Sequence, residues 1–363
     1  MLIMKRVLKL VTPFELFAIS LCSKKSKMIC KSTRSQLQCY KSTREFVLKC
    51  SSDNEIRLKF DYCPKTEWVF KISTPRRRNV LQKFLPMFPK NEQKSIITWV
   101  PMENESISEM SIQLFTSQED QTATIYTFIL YLSDVFNIPL LTIELHFQEF
   151  TRVKNEDIVD FYCRDRGTEL AVESLRLVGK RSNTPEDDKV VDSILCCQQA
   201  RYKLQLLFEP TPEFKLKPIY LQHNPFSFEA HHSHYISFEE ILECKSSIIR
   251  LSHSILNSTN FKWFIENWND GWTPPWKMII TDYSEDIDIR RNSKLQVHRE
   301  EKIFNDHHGV SHNIYYCICR PDGTVGEFLV ENNNIGMFWV SCEAERNSPS
   351  YPKFSWDDWY DDE

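Results

Sequence analysis

LTIELHF, residues 141–147, is the stretch on which the fold turns, because the chain repeats it in kind. Apolar and polar side chains alternate, the pattern of a strand with one buried face. Comparable runs follow at VESLRLV (172–178), YKLQLLF (202–208), SIIRLSH (247–253) and KMIITDY (277–283), most of them about 30 residues apart. Between them lie segments with helical character: NEDIVDFYCR (155–164), EDDKVVDSILCCQQA (186–200) and STNFKWFIENWN (258–269). A shorter run, PIYLQH (218–223), breaks the spacing. Strand-plus-helix units of this length predict a leucine-rich-repeat-like solenoid, with an ordinary α/β sheet of βαβ units as the alternative.

Working outward toward the N-terminus, QTATIYTFILYLSDVF (121–136) reads as a helix and 86–108 as loop-rich. EFVLKC (45–50), EIRLKFDY (55–62) and EWVFKIS (67–73) alternate between turn signals and predict a β meander. Thr12-Pro13-Phe14-Glu15 is a capping box that opens an apolar helix to about Cys22, and a basic helix follows from Ser23. A short helix over 7–11 precedes them. Toward the C-terminus the chain turns mainly β. SHNIYYCICR (311–320), a PDGT turn, VGEFLVEN (325–332) and GMFWVSCEA (336–344) predict a closing hairpin.

Bulk properties narrow the chemistry. The 363 residues are 41% hydrophobic and 26% charged, enough for a substantial core. Residues 1–50 hold eleven Lys/Arg against Glu15 and Glu45, whereas the last ten, FSWDDWYDDE, hold five carboxylates and no base. That tail reads either as a docking peptide or as a frayed terminus. The seven glycines fall in no phosphate-cradling spacing, so the common nucleotide loops are absent, as are GxSxG and HExxH. Twelve scattered cysteines without a CxxC predict free thiols in a reducing compartment, cytoplasmic or nuclear. No uncharged apolar run reaches 18 residues, so no membrane-spanning helix is expected.

Candidate sites are few. His231, His232 and His234 form one histidine cluster and His307, His308 and His312 another, but neither brings a spaced cysteine pair, so no metal or cofactor is expected. No nucleophile–base arrangement or carboxylate pair stands out, so no catalytic residue is assigned. Arg76, Arg77 and Arg78, with Lys83 and Lys90, suit phosphate contact, yet the net charge of −5 argues against nucleic acid as a partner. Trp263, Trp268, Trp272 and Trp276 crowd into fourteen residues and read as core, any exposed one being an anchor for a target.

MKRVLKLVTPFELFAISLCSKKSK (4–27) resembles the second half of an F-box. STNFKWFIENWNDGWTPPWKMIITDY (258–283) resembles the core of the second type of F-box-associated domain found in nematode F-box proteins, through Asn260, Phe264, Trp268, Gly271 and the strand at Met278–Ile280. CICRPDGTVGEFLVENNNIGMFWV (317–340) is similar to that family's C-terminal hairpin, with Arg320, Asp322 and Gly323 in its turn. The usual Leu-Pro opening and fuller first helix are missing, about a third of an F-box. The resemblance implies a partial F-box over 1–45, an associated region over 46–345 (best matched over 220–285, with the hairpin at 312–342), and an acidic aromatic tail over 346–363. It implies a non-catalytic substrate receptor that docks on a Skp-type adaptor, and through it on a cullin ubiquitin ligase, while holding a protein target. The adaptor contact would fall on Leu8, Leu10, Pro13, Phe14, Leu16, Ile19 and Leu21, and then Ser23 and Lys24. For each of these, packing against the rest of the chain is the alternative. A protein-interaction solenoid without ligase binding is the competing reading of the whole.

Overall fold

A computed structural model describes residues 11–34, 43–60, 66–73, 97–101, 108–115, 121–163, 172–285, 300–306, 309–331 and 335–342. The chain is mixed α/β and divides into two compact units, Met1–Arg201 and Tyr202–Glu363. The division does not follow the boundary expected near residue 45. The N-terminal helices belong with the strands behind them, because their aromatic side chains complete that unit's core.

The first unit contains the helices α1 (Pro13–Cys22), α2 (Lys24–Arg34), α3 (Gln121–Phe136), α4 (Arg152–Cys163) and α5 (Pro185–Cys197). Its strands are β1 (Thr43–Cys50), β2 (Asn54–Phe60), β3 (Thr66–Ser73), β4 (Ile97–Pro101), β5 (Ser108–Phe115), β6 (Thr142–Leu145) and β7 (Ser174–Val178), in spatial order β7-β6-β1-β2-β3-β5-β4. The expected meander is present: β1, β2 and β3 pair antiparallel. Parallel pairing then extends one side through β6 and β7. The region 86–108, expected to be loop-rich, contributes β4 and the start of β5. β5 pairs parallel with the open edge of β3 and β4 antiparallel with β5, and an unpaired edge recruits strands that local pattern does not announce.

The second unit contains β8 (Lys203–Leu207), β9 (Ser227–Ala230), β10 (Ile248–Leu251), β11 (Met278–Asp282), β12 (Glu300–Asp306), β13 (Gly309–Cys319), β14 (Thr324–Glu331) and β15 (Ile335–Cys342), with the helices α6 (Phe238–Glu243) and α7 (Ser258–Asn269). β8, β9, β10 and β11 pair parallel, each beside its predecessor in sequence. β15 then adds antiparallel to β11, followed by β14, β13 and β12. The closing element is therefore larger than the expected hairpin. PIYLQH is not a strand: Pro218, which lacks an amide donor, starts a 3₁₀ turn at Pro218–Leu221. The strand that keeps the spacing is β9, whose sequence SFEA carries a weak pattern.

Capping chemistry fixes the helix starts. Thr12, Thr184, Ser237 and Asn257 each accept from the third helical amide while that residue's side chain reaches back, two of these helices opening with proline. Cys50, Cys163 and Cys244 are free, buried thiols. Burial pushes the Cys163 thiol up to about 12, which makes it unreactive. No described helix is long and apolar enough to cross a membrane.

Candidate recognition surface

Strand alternation gives each unit two chemically distinct sheet faces. In the first unit, Phe70, Ile56, Leu48, Ile143 and Leu175 lie in one register row across β3, β2, β1, β6 and β7, and all are buried. The helices cover this face. The Phe14 ring meets Trp68 edge-on at 4.9 Å and Phe70 at 5.2 Å, and Phe17 meets Phe70 at 5.2 Å. Phe60 of β2 meets Phe136 of α3.

The opposite face carries a polar row, Lys71–Glu55–Lys49–Glu144–Arg176, across the same five strands. Its charges are paired. Glu55 lies 2.6 Å from Arg57 and 3.5 Å from Lys49, Glu144 lies 3.2 Å from Arg176 and 2.9 Å from His146 Nε2, and Glu45 lies 3.6 Å from Lys59. Burial pushes the Glu144 carboxyl up. The hydrogen bond with His146 and the Arg176 and Arg57 guanidiniums outweigh it and hold the group at about 2. Between the charged rows, Val47 and Val69 are buried beneath the stems of the long side chains.

The second unit repeats the plan with different residues. Its covered row is Leu204–Phe228–Ile249–Ile279–Phe338–Phe328, all buried. The opposite row is Gln205–Glu229–Arg250–Ile280–Met337–Leu329, polar on β8 to β10 and apolar beyond. Gln205 Nε2 donates to Glu229 at 3.0 Å, and Lys203 pairs with the same carboxylate at 3.2 Å. Of this row Glu229, Arg250 and Leu329 are half-buried, while Gln205, Ile280 and Met337 are buried.

The tryptophan cluster is mostly core. Trp268 is fully buried, and Gly326 and Gly336 make room on the sheet: a Cβ at Gly326 would fall 2.5 Å from Trp268 Nε1, and one at Gly336 would fall 2.5 Å from the Tyr283 ring. Trp276 is also buried and donates to Ile241 O at 3.1 Å, while Trp263 and Trp272 are half-buried. Arg320 latches the β13–β14 turn to this cluster. Its guanidinium lies 3.5 Å from the Trp268 ring centroid and donates to Trp268 O, Trp272 O and Thr273 Oγ1. Asp322 Oδ1 accepts from Thr324 N, and Gly323 takes φ +81°, so the RPDG turn is a structural element.

The residues expected to meet an adaptor divide. Leu8 and Leu10 lie outside the described residues. Pro13, Phe14 and Leu16 are core of the first unit, Phe14 and Leu16 at 0% exposure, so local packing holds them. Ile19 and Leu21 are half-buried, and Ser23 and Lys24 are exposed. The basic helix is partly engaged within its own unit: Lys27 and Lys31 both pair with Asp134 on α3. Arg76, Arg77, Arg78, Lys83, Lys90, His307, His308 and the acidic tail also lie outside the described residues.

Sequence reading paired His231 and His232 with His234, whereas the fold brings His253 to them. The His232 and His253 rings stack at 4.7 Å, His231 is within 5.8 Å of His253, and His253 Nδ1 lies 2.9 Å from His231 O. Burial and the neighbouring His253 and His231 push the His232 imidazole down. Stacked rings do not converge their nitrogens on one point, and no His/Cys/Asp/Glu group among the described residues is arranged to hold a metal. No family model, curated protein or solved structure matches this chain.

Proposed function

We propose that this chain is a non-catalytic protein-recognition subunit, the substrate receptor of a Skp–cullin–F-box ubiquitin ligase in the cytoplasm or nucleus. The charged sheet face of the first unit, with its half-buried counterpart at Glu229 and Arg250 in the second, is the surface offered to the target. One observation carries the reading: strands stack in register with apolar residues under helices and a polar row on the opposite face. The ordered addition of β8, β9, β10 and β11 supports a leucine-rich-repeat-like solenoid. Parallel strands added in one direction, each beside its predecessor, return their connections on one side of the sheet.

The adaptor contact in this reading rests on Ile19, Leu21, Ser23 and Lys24, the members of the expected set that retain accessible surface. The test is binding of the full chain to Skp-type adaptors, with a Leu21→Asp/Lys24→Glu variant whose thermal unfolding matches the parent. Binding by the parent and a loss of about tenfold or more in the variant is expected. A folded parent that binds no adaptor sinks the ligase assignment. The second reading, an interaction module without ligase binding, draws on the burial of Phe14, Leu16 and Phe17. It predicts that outcome together with retained target capture on the polar faces.

A further inference from the structure

Backbone hydrogen bonds trace the N-terminal edge of the parallel strands in the second unit. Ser227 N donates to Tyr202 O at 2.8 Å, Ile248 N to Phe226 O at 2.9 Å, Met278 N to Ser247 O at 3.0 Å and Val340 N to Lys277 O at 2.8 Å. Two aromatic rings stand on this edge in solvent. Tyr202 and Phe226 stack with centroids 5.9 Å apart and planes 7° from parallel, and they are 56% and 44% exposed. Lys277, on the same edge, and Lys245, three residues before β10, are exposed too. A solvated aromatic stack on the same edge as two exposed lysines fits a segment that carries both aromatic rings and carboxylates.

The chain supplies such a segment close by. β15 ends at Cys342, two residues past Val340. Beyond it, Phe354, Trp356, Trp359 and Tyr360 alternate with Asp357, Asp358, Asp361, Asp362 and Glu363. The residues between Cys342 and Phe354 can span roughly 36 Å when extended. The edge from β15 to β8 is four strand spacings, about 19 Å. Attachment at this distance gives the segment an effective concentration on the order of millimolar.

We propose that the acidic aromatic C-terminal segment, residues 346–363, docks in cis on the edge formed by Tyr202, Phe226, Lys245 and Lys277. There it acts as a built-in competitor for any partner that presents the same chemistry. This inference is independent of the ligase reading, since it concerns a different edge and no adaptor.

The test titrates a labelled peptide of residues 350–363 into full-length protein. The intact chain is expected to bind it weakly, because its own segment holds the edge. Full-length Trp356→Ala/Trp359→Ala is expected to bind at least about tenfold more tightly. Adding Tyr202→Ala/Phe226→Ala, or Lys245→Glu/Lys277→Glu, should abolish that gain. Those surface changes leave the core intact, which an unchanged thermal midpoint verifies. Equal binding by the intact and tail-substituted chains overturns the proposal, as does peptide binding that ignores the edge substitutions in a folded chain. Concentration-dependent association of the intact chain, removed by the tail substitutions, also overturns it by assigning the segment to a second copy.

Discussion

The two units solve one problem with different chemistry. Each lays aromatic residues of a capped helix on the apolar face of a sheet: Phe14 and Phe17 of α1 on Trp68 and Phe70, and Phe261, Phe264 and Trp268 of α7 on Phe328 and Phe338. The first unit packs side chain against side chain and finishes its other face with paired charges. The second opens space with two glycines and pins the result with one arginine. The difference shows what the faces are available for. Where each carboxylate of the polar row already has cations in reach, a partner must break existing pairs. Where the row turns apolar, Ile280 and Met337 are themselves buried at 2% exposure, so that part of the face offers a partner little area.

The sharpest way to break this comparison is to hollow each helix contact in turn. Trp268→Ala is expected to cost about 3–5 kcal/mol and to destabilise the second unit, while Phe17→Ala should cost a similar amount in the first. Denaturant unfolding followed by hydrogen exchange would read both. If each substitution lowered protection in both units equally, the division into two units would be wrong. Gly326→Ala comes next, at about 3 kcal/mol, since its Cβ meets the Trp268 indole rather than a flexible chain end. Combined with Trp268→Phe the cost should shrink, and a fully additive double mutant would refute the steric account.

Arg320→Lys probes the latch. An ammonium keeps the charge but cannot reach Trp268 O, Trp272 O and Thr273 Oγ1 at once, so about 2 kcal/mol should be lost. A neutral result in thermal unfolding would mean that the turn needs no latch. The smallest expected effect is on the charged face. Glu144 is held near 2 in the folded chain against a usual 4.5, so its contribution is complete above about pH 4.5 and disappears as pH falls toward 2. Glu144→Gln should therefore cost about 1–2 kcal/mol at neutral pH and flatten the acid limb of the stability profile. An unchanged acid limb would show that Arg176 and His146 contribute nothing through this carboxylate.

Much of this was legible in the chain. The capping box at Thr12, the helix over 121–136 and the meander of β1 to β3 follow from short-range rules, because caps, turns and alternation act over a few residues. β9 escaped because the pairing that makes SFEA a strand comes from β8 and β10, each separated from it by a loop or helix, and β4 because it adds to β5, which is itself placed by β3. The aromatic count near Trp268 predicted a core, and it could not say that Gly326 and Arg320, more than fifty residues away, would shape it. For the surface, alternation identified polar strand positions one at a time. Nothing in a single strand shows that Glu55, Lys49, Glu144 and Arg176 fall in one row.

The sequence by itself determined the local grammar: which strongly patterned segments become strands or helices, where capped helices begin, and that cysteines and glycines form no common cofactor motif. These rest on backbone dihedrals and side-chain period, which adjacent residues set. The tertiary structure alone decided that α1 belongs to a core, that His253 joins His231 and His232, and that Tyr202 and Phe226 stand together in solvent. Those outcomes depend on register and on which faces meet, and the energy of such contacts between residues distant in sequence exists only once the chain has folded.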